Sequence, residues 1–85
     1  MSETAPLQLK ILFFGATADI ARTRSTVLEI SREAASGDAF QHVLGLYPEL
    51  ASHKLLYSLN QNYARGDEPL QDGDELAVFT AVSGG

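Results

Sequence analysis

Only one stretch of this chain has the period of a long helix, and almost everything else reads as strand or turn. Over Asp38–Tyr47, Phe40, Val43, Leu44 and Tyr47 fall at i, i+3, i+4 and i+7, a single apolar stripe. Ser36 or Asp38 can cap the first turn by accepting backbone N–H bonds. Pro48 ends the helix, because proline lacks an N–H and disfavours helical backbone at Tyr47. The chain has 85 residues, room for one small domain. A domain of that size buries roughly 60–65% of its unfolded surface, enough for one modest core. That core must be built by strands closing on a single helix.

The strands are read from alternation and from turn residues. Leu7, Leu9, Ile11 and Phe13 alternate along a first strand that stops at Gly15. Its other face carries Gln8 and Lys10 at one end, and Leu12 and Phe14 at the other. Residues 16–23 predict a short helical turn. Thr26–Ile30, rich in β-branched residues, predicts a second strand paired with the first as a hairpin. Residues 31–37 read as loop, and residues 49–53 as a connector with at most one turn. Leu55–Leu59 predicts a third strand, Asn60-Gln61-Asn62 a turn and Tyr63-Ala64 a short strand. Residues 65–69 read as loop and Leu70 as an isolated apolar anchor. Asp72-Gly73-Asp74 predicts a tight turn in which Gly73 takes positive φ. Glu75–Val82 is the last strand. The expected core is Leu9, Ile11, Phe13, Val27, Phe40, Val43, Leu44, Leu59, Leu76 and Val78.

Strand, strand, helix, strand, short strand, strand has too few helices for a parallel wound sheet. It matches an α+β fold of the ubiquitin-like β-grasp kind, a mixed sheet of four to five strands packed on one main helix. In that arrangement the first and last strands are parallel neighbours at the centre. The expected layout is a leader over 1–6, the domain over 7–82 and a free Ser83-Gly84-Gly85 tail.

That tail is the one chemically pointed feature. A central strand delivers two glycines and an α-carboxylate into solvent. Glycine has no Cβ, so such an end can thread a narrow channel and present its carboxylate to an active site elsewhere. Composition removes most other chemistry. Net charge is −5, against a nucleic-acid partner, which requires clustered Lys and Arg. There is no cysteine, hence no disulfide, thiolate metal site or cysteine nucleophile, in keeping with a cytoplasmic location. No apolar run approaches the ~20 residues of a membrane span, and residues 1–6 lack the basic start of a signal peptide. His42 and His53 are far apart and read as surface residues, so no metal site is expected. Asp72-Gly73-Asp74-Glu75 lacks the spacing of a calcium loop. Ser83 has no base near it in sequence. No catalytic residues and no resident cofactor are expected.

Three segments carry a resemblance: Leu12-Phe13-Phe14-Gly15-Ala16, Ser58-Leu59-Asn60-Gln61-Asn62-Tyr63, and Leu70-Gln71-Asp72-Gly73-Asp74-Glu75-Leu76-Ala77 followed by Val82-Ser83-Gly84-Gly85. The chain resembles the small, sulfur-carrying subunits of molybdopterin synthase over most of Leu7–Gly85. The last segment is the specific one, a whole motif at a fixed distance from the final residue. Two places depart from the family: Ala18 stands where an Arg is usual, and Thr80-Ala81 where two prolines are common. The resemblance implies that an E1-like activating enzyme uses ATP to adenylate Gly85. A persulfide sulfur then displaces AMP and leaves a thiocarboxylate, so AMP and sulfur are only transient passengers. It further implies that Val82, Ser83, Gly84 and Gly85 insert into a large synthase subunit, in an assembly of two small and two large subunits. There the sulfur goes to a pterin precursor, and the catalytic side chains belong to the large subunit. Rival readings are a sulfur carrier for thiamine or tRNA thiolation, a ubiquitin-like modifier joined to lysines, and a plain interaction domain.

A second expectation comes from the strand faces. With the first and last strands adjacent, Leu12, Phe14, Ala77 and Phe79 share one outer face, more apolar than a solvated face should be. Either a partner docks there or a loop of the chain covers it.

Overall fold

The computed structural model describes residues 5–81. Strand β1, Leu7–Phe13, shows strict alternation: Leu7, Leu9, Ile11 and Phe13 are buried, Gln8 and Lys10 exposed, and Leu12 half-buried. It leaves the sheet at Gly15, whose φ of +57° is open to glycine without a Cβ penalty. Helix α1, Ala16–Ala21, follows and stops at Arg22, in left-handed conformation. Strand β2, Ser25–Ile30, runs back antiparallel to β1, with Leu28 opposite Leu9 and Ile30 opposite Leu7.

That register corrects one core expectation. Val27 lies opposite Lys10 and is 65% exposed. The β-branched run Thr26-Val27 marks a strand but not its parity. Because side chains alternate with period two, the burial of Leu28 and Ile30 puts Val27 on the outer face.

Helix α2, Ser36–Leu46, starts two residues earlier than its apolar stripe suggests. Its N-cap is Ala35, which has no side-chain acceptor; neither Ser36 nor Asp38 caps in the expected way. Instead the Asp38 carboxylate, three residues on, accepts the Ala35 N–H at 2.9 Å, half of a capping box. Val43 and Ala39 are fully buried, while Phe40, Leu44 and Tyr47 are half-buried at the edges of the stripe. A 3-10 turn over Pro48–Ser52 drops Leu50 into the core at 0% exposure.

Strand β3, Leu55–Leu59, and the two-residue β4, Asn62–Tyr63, form a tight hairpin around Asn60-Gln61. Strand β5, Glu75–Thr80, pairs parallel with β1 on one side and antiparallel with β3 on the other. The sheet order is β2-β1-β5-β3-β4, with the first and last strands side by side at the centre. This is the β-grasp α+β fold. Helix and sheet are joined by Phe40 stacked on Tyr57 at 4.3 Å and by Phe13 edge-on to Tyr47 at 5.2 Å. No helix among the described residues is long and apolar enough to cross a membrane.

Candidate functional site

One face of the sheet is covered by α2, and among the described residues no helix lies over the other. The parity that buries Leu9, Ile11 and Phe13 turns Leu12 outward; the parity that buries Leu76 and Val78 turns Ala77 and Phe79 outward. Leu12 and Ala77 are direct partners across the β1–β5 ladder. Phe14, just past the end of β1, completes the group and is 53% exposed. Leu12, Phe14, Ala77 and Phe79 are therefore brought together, lining one hollow of about 370 Å³. Among the described residues no loop covers it.

The hollow has a polar side that sequence reasoning missed. Ser58, Gln61 and Glu75 line it together with the apolar residues. Ser58 arrives because β3 pairs with β5 so that Ser58 faces Ala77 and Leu56 faces Phe79. Leu56 and Tyr63 extend the apolar surface outward, 41% and 75% exposed, and the Tyr63 ring lies 6.0 Å from that of Phe79. The run Leu55-Leu56-Tyr57 is apolar at every position, so its alternation is invisible before the pairing is known.

Two devices hold the walls. The first is Thr17, fully buried at the start of α1. Its hydroxyl accepts the Phe14 N–H at 2.9 Å and donates to the Val78 carbonyl at 2.7 Å. One side chain thus ties the backbone of Phe14 to the strand that carries Phe79. The second is Asn60. Its side-chain oxygen accepts the Glu75 N–H at 2.9 Å, its amide donates to Asp74 Oδ1 at 3.0 Å, and its own N–H donates to the Glu75 carbonyl at 2.8 Å. The β3–β4 turn is clamped to the first residue of β5.

The Asp72-Gly73-Asp74 segment is the expected turn, with Gly73 at φ +87°. Its carboxylates serve the fold: Asp72 accepts the Gln8 N–H at 2.8 Å and Asp74 the Gln71 N–H at 2.8 Å. His42 and His53 are both exposed. Ala18 and Asp19 line a neighbouring hollow of about 610 Å³, which shares Leu12 and Phe14 with the first. Strand β5 ends at Thr80, and the Ala81 N–H donates to the Lys54 carbonyl at 2.9 Å. The tail residues Val82, Ser83, Gly84 and Gly85 lie outside the described residues.

The outer face and the central placement of β5 invite comparison with known proteins. A model of the ThiS family matches residues 11–85. The chain belongs to the ThiS family. It is 31% identical over 83 residues to the molybdopterin synthase sulfur carrier subunit of Chlamydomonas reinhardtii, covering 93% of this chain and 100% of that protein. It is 33% identical over 82 residues to small archaeal modifier protein 1 of Haloferax volcanii, covering 85% of this chain and 94% of the relative. The crystal structure of that modifier superposes with a TM-score of 0.81 over 92% of this chain and 99% of its own. A complex of subunits 1 and 2 of the Helicobacter pylori molybdopterin-converting factor contains the same fold, with a TM-score of 0.65 at 20% identity, over 93% of this chain and 100% of that one.

Proposed function

We propose that this ThiS-family chain is the sulfur-carrying, non-catalytic subunit of a molybdopterin synthase, acting through Gly85. The observation that carries the reading is identity of 31% along the whole length of a relative that bears that name. The bare apolar face beside β5 supports it, because a carrier must dock its tail strand on other proteins.

In this reading the Gly85 carboxylate attacks ATP on an E1-like enzyme, forming an acyl adenylate and releasing pyrophosphate. The terminal sulfur of a persulfide displaces AMP, and a thiol cleaves the resulting acyl disulfide, leaving a thiocarboxylate. Sulfur rides on a main-chain carbonyl carbon, so a chain without cysteine can carry it. Gly84 and Gly85 keep the approach slim. The tail residues Val82–Gly85 then enter the large subunit, two carriers to two large subunits, and the reaction runs in the cytoplasm.

Incubation with ATP, the activating enzyme and a sulfur donor should raise the intact mass by the difference between sulfur and oxygen, located on Gly85 by fragmentation. One residue appended after Gly85 should abolish the gain, since the new carboxylate lies beyond the adenylation position. A second reading is favoured by the likeness to the Haloferax modifier: Gly85 joined to lysines of other proteins. A bond from Gly85 to a lysine, with no thiocarboxylate, would replace the first reading by the second.

A further inference from the structure

The β3–β4 turn breaks a rule of its own geometry. A two-residue hairpin loop with both central residues at positive φ takes glycine at the second position, because a Cβ there crowds the backbone. Asn60, at φ +50°, is among the residues that tolerate this conformation; Gln61, at φ +73°, is not. The Asn60 side chain is spent on the clamp to Asp74 and Glu75. Among the described residues nothing hydrogen-bonds the Gln61 carboxamide, yet Gln61 is among the residues that line the hollow with Phe14 and Phe79. A strained residue that does nothing for the turn, placed at the edge of an apolar hollow, is the pattern of strain kept for function.

We propose that Gln61 is a specificity residue of the docking hollow: its carboxamide hydrogen-bonds the backbone of a large-subunit segment whose apolar side chain seats against Phe14 and Phe79. The inference rests on the proposal that this face receives the large subunit. The occupant follows from the lining. Leu12, Phe14, Ala77 and Phe79 fit an apolar group, while Ser58, Gln61 and Glu75 add polar groups to the same lining. A peptide backbone next to an apolar side chain supplies that combination. Gln61 can both donate and accept, which suits a main-chain N–H and C=O pair. The Asn60 clamp holds the turn backbone in place before the partner arrives, so little loop freedom is lost on binding.

The test uses the full chain, a molybdopterin synthase large subunit, calorimetric titration and thermal melts. Gln61→Gly relieves the positive φ and removes the carboxamide. It should leave the melting temperature unchanged or higher and raise Kd about 3- to 10-fold, the loss of one net hydrogen bond. Gln61→Asn, which keeps an amide and tolerates the turn, should recover part of that affinity. Unchanged Kd in Gln61→Gly, with binding lost in Phe79→Asp, overturns the role of Gln61 and leaves the docking face standing. A fall in melting temperature in Gln61→Gly makes the residue structural and also overturns it. Unchanged binding in Phe79→Asp removes the docking face and this inference with it.

Discussion

At the scale of single residues, two buried positions matter most and neither stands out in the sequence. Leu50 follows a proline and a glutamate in a short turn, outside any periodic run, yet it is fully buried. Leu50→Ala should cost about 2–5 kcal/mol in a denaturant titration, the usual range for a buried leucine truncation. Thr17 reads as one more small residue after Gly15, yet its hydroxyl joins Phe14 to Val78. Thr17→Val keeps the shape and removes the bonds. The Phe14 N–H is then left with a 3.4 Å contact to the Val78 carbonyl. A loss of about 1–3 kcal/mol is expected, the cost of a buried polar group left without its partner. Val27→Thr, on the exposed face of β2, should stay within about 0.5 kcal/mol of wild type. The near-neutral melt of Val27→Thr checks the register of β2 against β1, which places Val27 opposite Lys10.

At the scale of elements, the start of α2 is held by the loop that precedes β5. Glu68 is the hinge pin. Its carboxylate accepts the Ser36 hydroxyl at 2.5 Å, the Arg65 N–H at 2.7 Å and the Gly66 N–H at 3.0 Å. The Ser36 N–H in turn donates to the Glu68 carbonyl at 2.9 Å. These bonds favour the charged form, with the Ser36 hydroxyl contributing most, and hold the Glu68 pKa down to about 2 from the ordinary 4.5. The folded state therefore binds this proton less readily than the unfolded chain. Its contribution to stability is complete above about 4.5 and is lost as pH falls toward 2. Glu68→Gln should melt below wild type at neutral pH, and the gap should close between pH 4.5 and 2. A gap that stays constant over that range would show that the clasp is not held by charge. The same contact explains why Gly37 is glycine: a Cβ there would meet the Gly66 carbonyl oxygen at 2.9 Å.

At the scale of the whole molecule, the sheet has two faces with different tasks. One is sealed by α2 and supplies the stability; the other carries Leu12, Phe14, Ala77 and Phe79 beside the strand that leads to the tail. Phe79→Asp should therefore separate the two. The variant should keep its cooperative melt, because its side chain is on the face away from the helix. Its binding to a large synthase subunit should weaken at least tenfold, since a carboxylate would be desolvated in an apolar contact. Equal affinity in calorimetry would exclude this face as the docking surface. The placement also explains the lone cross-sheet order: β5 is the last strand in sequence and a central one in space, with neighbours on both sides. Strand β5, Glu75–Thr80, is thus held by partner strands on both edges.

The sequence alone determined the elements, the α+β arrangement and the parallel pairing of the first and last strands. The elements follow from local physics: the alternation of Leu7 to Phe13, the stripe of Phe40 to Tyr47, the stop at Pro48 and the turn at Gly73 each act within a few residues; the parallel pairing followed only from the order of those elements, which matches the β-grasp arrangement. It also determined the four outward apolar residues of β1 and β5, because both strands alternate cleanly or end in recognisable turns. What only the tertiary structure decided is how β2, β3 and the loops are set against them. The exposure of Val27, the presence of Ser58 and Gln61 in the hollow, the Thr17 bridge and the Glu68 clasp all join residues far apart in the chain. Thr17 and Val78 are 61 residues apart, and Ser36 and Glu68 are 32 apart. A bond of that kind leaves no trace in the local pattern at either end, since each residue is acceptable where it stands and only chain closure gives it a partner.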